Sequence, residues 1–251
     1  MDARIYIATH KPYDFPQQSG YIPVFAGKAL HKEEADNISG DDTGENISFL
    51  NNQFCELTVL YWIWKNCRAD IVGLVHYRRY FAFPDKPEMN IIHAGKPVLD
   101  TGKLPGLMPS ENRIILPKPQ GFGKERVFGL FKKRRTVYRQ YRLCHYEKDW
   151  FELEKTVRRR CPEYSAALAK VRNGTQISCC NMFVAHKSFV DAYCTWLFDI
   201  LFDLHKRLHI SGYDNYQQRI FGFMAERLLN VYVCHHAVNL DIKYLDITFL
   251  E

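Results

Sequence analysis

The sequence predicts an α/β fold, of a length for one large domain or two small ones, in which a mixed sheet is flanked by helices. Three observations carry this prediction. Short apolar runs of strand length alternate with longer segments of helical period. No internal repeat divides the chain. The 251 residues, 47% hydrophobic and 25% charged, are enough to bury one sizeable core.

Each element has its own warrant. Residues 4–9 form an apolar, β-branched run that fits a buried strand, ended by His10, Lys11 and Pro12. Residues 13–45 are rich in loop formers and close on Ser39-Gly40-Asp41-Asp42-Thr43-Gly44, a strong turn signal. One helix follows, because Ile47, Leu50, Phe54, Leu57, Tyr61 and Trp64 recur at spacings of three and four and make one apolar face. A second strand covers residues 71–77 and delivers His76-Tyr77-Arg78-Arg79 at its end. Residues 84–112, with five prolines and three glycines, read as a long irregular segment. A strand at 113–116 stops at Pro117, and residues 124–160 read as a basic, partly helical insertion within about 120–165. Residues 182–185 form another strand. Ser188 with Asp191 three residues on suggests a capped helix start. Asp214 or Asn215 caps the next helix, and residues 230–234 read as a last strand.

Several function classes lose support. The N-terminal residues lack a basic stretch followed by a long apolar one, so no signal peptide is expected. The apolar stretch 189–204 is interrupted by Asp191, Asp199 and Asp203 and does not read as a membrane span. Eight cysteines without a C-x-x-C pair read as reduced, packed thiols of a cytoplasmic protein. His205 and His209 are four apart but lack the glutamate of a zinc protease, and no Asp-x-Asp triplet occurs, so no metal or other cofactor is expected. The phosphate-binding and dinucleotide glycine loops and the G-x-S-x-G turn are absent too.

Four constellations have a chemical reading beside a plainer one. Arg78 and Arg79, with His76, sit where a strand ends, and in α/β sheets ligands bind beyond such ends. Planar guanidinium groups suit phosphate oxygens; the plain alternative is a solvated edge. Asp41 to Ser48, with Asn51 and Glu56, is a polar helix start, serving either a ligand or capping. Tyr213-Asp214 to Arg219, followed by Glu226-Arg227, offers a carboxylate at a helix start that serves as a cap or as a base. The 124–160 block carries 13 Lys plus Arg against 5 Asp plus Glu, a charge of +8 in a chain of net +6, and places Phe128, Leu130 and Phe131 beside Lys132 to Arg135. Such a mixture suits an anionic membrane surface, a nucleic acid, or simple solvation.

Taken together, Asp41 to Ser48, Cys55-Glu56-Leu57-Thr58, Tyr61 to Asn66, Gly73 to Tyr80, Asn181-Met182-Phe183 and Arg219 with Gly222 to Leu228 resemble the bacterial capsular polysaccharide synthesis family first described as domain of unknown function 4422. The resemblance covers nearly the whole chain. It implies a GT-A-like single domain over residues 1–251, with a mixed, mostly parallel sheet flanked by helices. The implied activity is that of glycosyltransferase family 111: transfer of galactofuranose from UDP-galactofuranose, with inversion, in capsule or O-antigen assembly. On this reading His76, Arg78 and Arg79 hold the diphosphate in place of a metal. Thr9, His10, Lys11, Asp42, Asn46 and Asn51 lie on the nucleotide side, and Asn181 and Arg219 on the sugar or acceptor side. The stretch from Asp214 to Arg219 resembles the Glu-Asp-x-x-x-x-Arg segment of inverting GT-A enzymes, although Tyr213 stands where the first acid would be. Asp214 is therefore the expected general base, with Glu226 in reserve. The implied partners are a UDP-sugar, a lipid-linked oligosaccharide acceptor and, through residues 124–160, the inner face of the cytoplasmic membrane, with no nucleic acid. The rival readings are a phosphoryl-type transferase modifying capsule and a non-catalytic basic module that binds glycan or nucleic acid.

Overall fold

The computed structural model describes residues 1–31, 37–127 and 131–251. Its centre is a seven-stranded sheet: β1 (Ala3–Thr9), β2 (Tyr21–Phe25), β3 (Ile71–His76), β4 (Arg79–Ala82), β5 (Arg113–Pro117), β6 (Phe183–His186) and β7 (Asp241–Phe249). β1 is buried from Ile5 to Thr9, as a strand covered on both faces must be. It lies between β2 and β3 and is parallel to both, with Ile5 opposite Tyr21 on one side and Gly73 on the other. The C-terminal ends of these three strands therefore come out along one edge.

The far edge of β3 is shared. Ile71 to Leu74 pair antiparallel with β6, and His76 pairs with Arg79 of β4 across a two-residue turn, Tyr77-Arg78. β7 is divided in the same way: its first half runs parallel to β5, and its second half antiparallel to β4. β6 also pairs antiparallel with β5, so β3, β6, β5, β7 and β4 close a ring of pairings. Three pairings in this sheet are parallel (β1–β2, β1–β3, β5–β7) and four antiparallel among the described residues, so the sheet is mixed, as expected, and the pairings do not establish a parallel majority. The reason is local: β4 returns from β3 through a tight turn, and such a reversal forces antiparallel pairing without a crossover helix.

Side chains alternate across the strands and divide the core in two. Tyr6, Ala8, Val72, Leu74, Ile114 and Phe183 face a helical layer made by α1 (Asn51–Phe54), α2 (Leu57–Asn66), α3 (Val137–Cys144), α4 (Glu147–Arg160), α5 (Ser165–Asn173), α6 (Lys187–Arg207) and α7 (Ile220–His235). Ile5, Ile7, Ile71, Val75, Ile115 and Val184 face the opposite side, where Tyr80, Phe81, Leu99, Leu104 and Met108 cover them.

Several expected elements are corrected. The single helix from Ile47 onward is a 3-10 turn (Ser48–Leu50), then α1 and α2, separated at Cys55. Residues 230–234 belong to α7 rather than to a strand: Val231, Tyr232 and Val233 are all buried, and Tyr232 packs on Tyr193 and Trp196, so tertiary burial outweighs their strand-like composition. The basic insertion opens with a hairpin, Lys124–Val127 with Phe131–Arg134, before α3 and α4 begin. Ser188 does not cap α6; the helix starts at Lys187, whose ammonium pairs with Asp191. No described helix is long and apolar enough to cross a membrane.

The segment preceding α7 is tied to α3 through His145. Its ring stacks on Phe223, with centroids 4.1 Å apart, and its Nδ1 lies 3.2 Å from Gln217 Oε1. Burial and the nearby Arg227 charge push this imidazole down to about 4. Below the ordinary value of 6.5 the unfolded chain therefore takes up a proton that the folded chain refuses. This contribution to stability is complete above about pH 6.5 and is lost as pH falls from there toward 4. Thermal melts across that window should show the loss, and His145→Phe, which keeps the stack, should show a shallower one.

Candidate functional site

A cleft of about 630 Å³ opens where β1, β2 and β3 end. Its floor is Ala8, Thr9 and His10 from the end of β1 and Ala26 from the end of β2. One wall is the reversal from β3 to β4, His76-Tyr77-Arg78-Arg79, and the other combines Asn51, Asn52, Cys55 and Glu56 with Asn215, Gln218 and Arg219.

The turn at Tyr77-Arg78 explains how three cationic or protonatable groups gather. His76 and Arg79 are directly paired across the two strands, so they share a face, while Arg78 stands at the tip. His76 Nε2 donates to the Cys180 carbonyl at 2.6 Å, which fixes the ring. The Arg78 guanidinium lies over Tyr77, 5.0 Å from the ring centroid, and Arg79 lies 5.9 Å from that of Phe249. Among the described residues neither arginine has a carboxylate within 4.0 Å. Two guanidinium groups on a cleft wall without an acid to neutralise them make a site for an anion with several oxygens.

The opposite wall is set by the backbone at Cys55, where φ is 52° and ψ is −131°. A residue with a side chain rarely adopts that conformation. It ends α1, and α2 starts again at Leu57 on a new axis, so Cys55 and Glu56 turn toward the cleft. Phe54, fully buried, anchors the near side by stacking on Phe221 at 4.6 Å. Cys55 Sγ accepts from Arg219 Nε at 3.2 Å, and burial, reinforced by the Glu56 charge, pushes the thiol up to about 11. Asn51 is held by bonds from its Nδ2 to the Cys55 carbonyl and to Thr58 Oγ1, at 2.8 and 3.1 Å. Gly27, at the end of β2, has φ +74°, and a Cβ there would come within 2.6 Å of the Asn51 side chain, so α1 can seat this closely only on a glycine.

The expected site residues divide. His76, Arg78, Arg79, Thr9, His10, Asn51 and Arg219 line the cleft. Asn181 stands behind it, buried, and donates to Glu56 Oε1 at 2.6 Å. Lys11 is outside the lining, with its ammonium near Tyr77 and Tyr13. Asp42 lines a second cleft of about 460 Å³ with Thr43 and Trp62. Asn46 makes local bonds to the Gly44 carbonyl and the Ser48 amide. The acid that organises this turn is Asp41, whose buried carboxylate accepts from the Gly27 and Lys28 amides and the Ser48 hydroxyl. Asp214 is exposed and outside the cleft lining, and its Oδ1 accepts from the Gln217 amide at 2.8 Å, a turn bond ahead of α7, whose N-cap is Arg219 rather than the expected Asp214 or Asn215. Both Glu226 oxygens are engaged, one by the Cys180 amide and one by Arg227. Glu56 is the carboxylate that does line the cleft, beside Asn51, Asn52 and Cys55, the polar group that the helical spacing brings together; the break at Cys55 itself leaves no signal in that spacing. Among the described residues no three His, Cys, Asp or Glu side chains cluster as metal ligands would.

The basic block is partly neutralised within the fold. Arg159 pairs with Asp203, Arg160 with Asp199, Arg139 with Glu125 and Arg142 with Glu147. Lys124, Arg126, Lys132, Lys133 and Arg134, on the hairpin, are exposed and have no carboxylate partner among the described residues. Phe128 and Leu130 and the side chain of Phe131 lie outside the described residues.

A family profile described as domain of unknown function DUF4422 matches residues 4–237. Among solved structures the chain is similar to the WbbM bifunctional glycosyltransferase in its apo form, at 32% identity with a TM-score of 0.82. That likeness covers all of this chain and 46% of WbbM, so the chain spans about half the length of the relative it matches. No curated protein matches the chain.

Holding a cysteine in a backbone conformation natural to glycine costs about 1–3 kcal/mol. Cys55→Gly should therefore raise the urea midpoint, whereas Cys55→Val, β-branched in the same conformation, should lower it.

Proposed function

The chain belongs to the family described as domain of unknown function DUF4422, and from that premise we propose that it is a glycosyltransferase of bacterial surface-polysaccharide synthesis that draws on a nucleotide-sugar donor. The observation that carries this reading is the pair of acid-free guanidinium groups, Arg78 and Arg79, on a polar cleft at the ends of parallel strands. A nucleoside diphosphate has the charge and the oxygen geometry for such a wall. Departure of a diphosphate develops negative charge that preorganised cations stabilise. In this scheme His76, Arg78 and Arg79 take the place of a divalent metal, and Thr9, His10 and Asn51 face the nucleotide. Arg219 and Asn181 serve the sugar side, Arg219 from the wall and Asn181 through Glu56.

The donor proposed is UDP-galactofuranose, and the acceptor a lipid-linked glycan hydroxyl, with inversion at the anomeric carbon. The likeness to a bifunctional glycosyltransferase, which covers 46% of that protein, supports the class. The exposed charge on the hairpin supports contact with a lipid-linked substrate at a membrane surface. The hairpin at 124–134 concentrates unneutralised positive charge, and each basic residue near an anionic bilayer contributes about 1 kcal/mol. The site would then work at the inner face of the cytoplasmic membrane.

A thermal-shift and transfer assay with a panel of nucleotide sugars tests the donor class. UDP compounds should raise the melting temperature selectively, because a ligand that binds only the folded chain stabilises it. Arg79→Ala should weaken that binding roughly tenfold or more, the usual worth of a charge-assisted bond. Transfer should survive EDTA; complete loss that manganese restores would refute the metal-free diphosphate site.

Vesicle sedimentation tests the membrane reading. Binding to vesicles rich in phosphatidylglycerol should fall with added salt and drop sharply in a Lys132→Glu, Lys133→Glu, Arg134→Glu variant, while turnover on a soluble acceptor stays unchanged.

A further inference from the structure

We propose that Glu56 is the general base of the transfer, taking the proton from the acceptor hydroxyl as that oxygen attacks the sugar. The inference rests on the glycosyltransferase reading and adds the group that the reading leaves unassigned.

Four observations converge on this side chain. Glu56 is the carboxylate that lines the main cleft among the described residues, together with His76, Arg78 and Arg79. The chain goes to some expense to put it there, since the preceding residue, Cys55, is held at φ 52°. Glu56 occupies the N-cap position of α2, yet its side chain makes no capping bond, so the carboxylate is not consumed by its own helix. One of its oxygens is fixed from behind: Oε1 accepts from Asn181 Nδ2 at 2.6 Å, and the same Nδ2 also reaches the Gly222 carbonyl at 3.2 Å. Asn181 is itself buried and held at φ 51°, directly after Cys180 at φ 73°. Two consecutive left-handed residues behind a cleft wall are a costly way to present one amide. They leave Glu56 Oε2 without a partner among the described residues.

The two other carboxylates near the site are disposed differently. Asp214 accepts from the Gln217 amide outside the lining, and Glu226 is bonded at both oxygens, to Cys180 N and to Arg227.

The step balances without a further reactant. The acceptor oxygen forms a bond to the anomeric carbon, and its proton passes to Glu56 Oε2. The bond from the anomeric carbon to the phosphate oxygen breaks, and its electron pair leaves with the nucleoside diphosphate, whose added charge falls on the Arg78 and Arg79 wall. The protonated Glu56 then returns the proton to solvent as the cleft opens to water. Cys55, with its thiol bonded to Arg219 and kept protonated by burial, is not a competing base.

The test is Glu56→Gln. Glutamine is isosteric and keeps an acceptor for Asn181 Nδ2, so the wall should persist while the basic group is removed. UDP affinity and melting temperature should stay close to wild type. The kcat should fall roughly 10²–10⁴-fold, the usual contribution of a general base. The acid limb of the wild-type kcat/KM profile against pH should disappear from the residual activity, a change that a merely structural role would not produce. Glu56→Asp, which keeps the base on a shorter stem, should recover part of the rate and the acid limb. A kcat for Glu56→Gln within a few-fold of wild type would overturn the proposal, and so would a loss confined to the donor KM, which would make Glu56 a sugar-binding group. Abolition of transfer by Asp214→Asn with Glu56→Gln still active would return the role to Asp214. If the wild-type chain binds no nucleotide sugar and transfers none, the glycosyltransferase reading itself fails, and Glu56 fails with it; an active wild type beside an active Glu56→Gln removes Glu56 alone.

Discussion

The cleft depends on the left-handed backbone at Cys55. An uninterrupted helix through residues 48–66 would carry its polar side chains along one straight face. Instead, Phe54 is buried against Phe221 on one side of the break and Leu57 is buried on the other, so both flanks are fixed in the core. Burying side chains of this kind contributes about 1.5–3 kcal/mol each, more than the strain of one residue in the wrong region. The strain is therefore held in place by packing that surrounds it. Its result is a short corner that turns Cys55 and Glu56 inward and leaves Asn51 and Asn52 on the same wall.

The other wall follows from a different constraint, the reversal of β3 into β4. A two-residue turn makes His76 and Arg79 cross-strand partners and leaves Arg78 at the tip, so neighbours in sequence become neighbours on one surface. Charge then matters by position rather than by sum. The chain is +6 overall, yet much of the basic stretch at 124–160 is neutralised by Glu125, Glu147, Asp199 and Asp203. Among the described residues, Arg78 and Arg79 in the cleft and the hairpin cations outside it are two of the groups left without a carboxylate partner.

The fold was legible where burial writes itself into composition. β1, β3, β5 and β6 are short apolar runs, and each lies within a residue or two of its expected bounds. Legibility failed where packing overrules local pattern. Val231, Tyr232 and Val233 have strand-like side chains, yet they lie in a helix because α5 and α6 cover them there. β2 escaped notice within a loop-rich segment because it is five residues long and carries Pro23. β7, much of it half-exposed, offers no continuous apolar run. In the site, the motif His76 to Arg79 was readable as a cationic strand end, whereas Asp214 bonds the Gln217 amide ahead of a helix that starts at Ile220 and does not cap it. Asp42 and Asn46 sit near the right turn but outside the main cleft, because the buried neighbour Asp41 takes the organising role.

By itself the sequence determined the α/β class, the place of the cationic cluster at a strand end and the uneven distribution of charge, since these depend on residue type and short-range spacing. Only the tertiary structure decided which strands pair antiparallel, the break at Cys55 and the choice among carboxylates. Whether Glu56, Asp214 or Glu226 is available depends on which hydrogen bonds each has already made, and those partners come from Asn181, Gln217, Cys180 and Arg227. For Glu56 the partner is 125 residues away, and no local pattern can report a bond whose two ends meet only when the chain is folded.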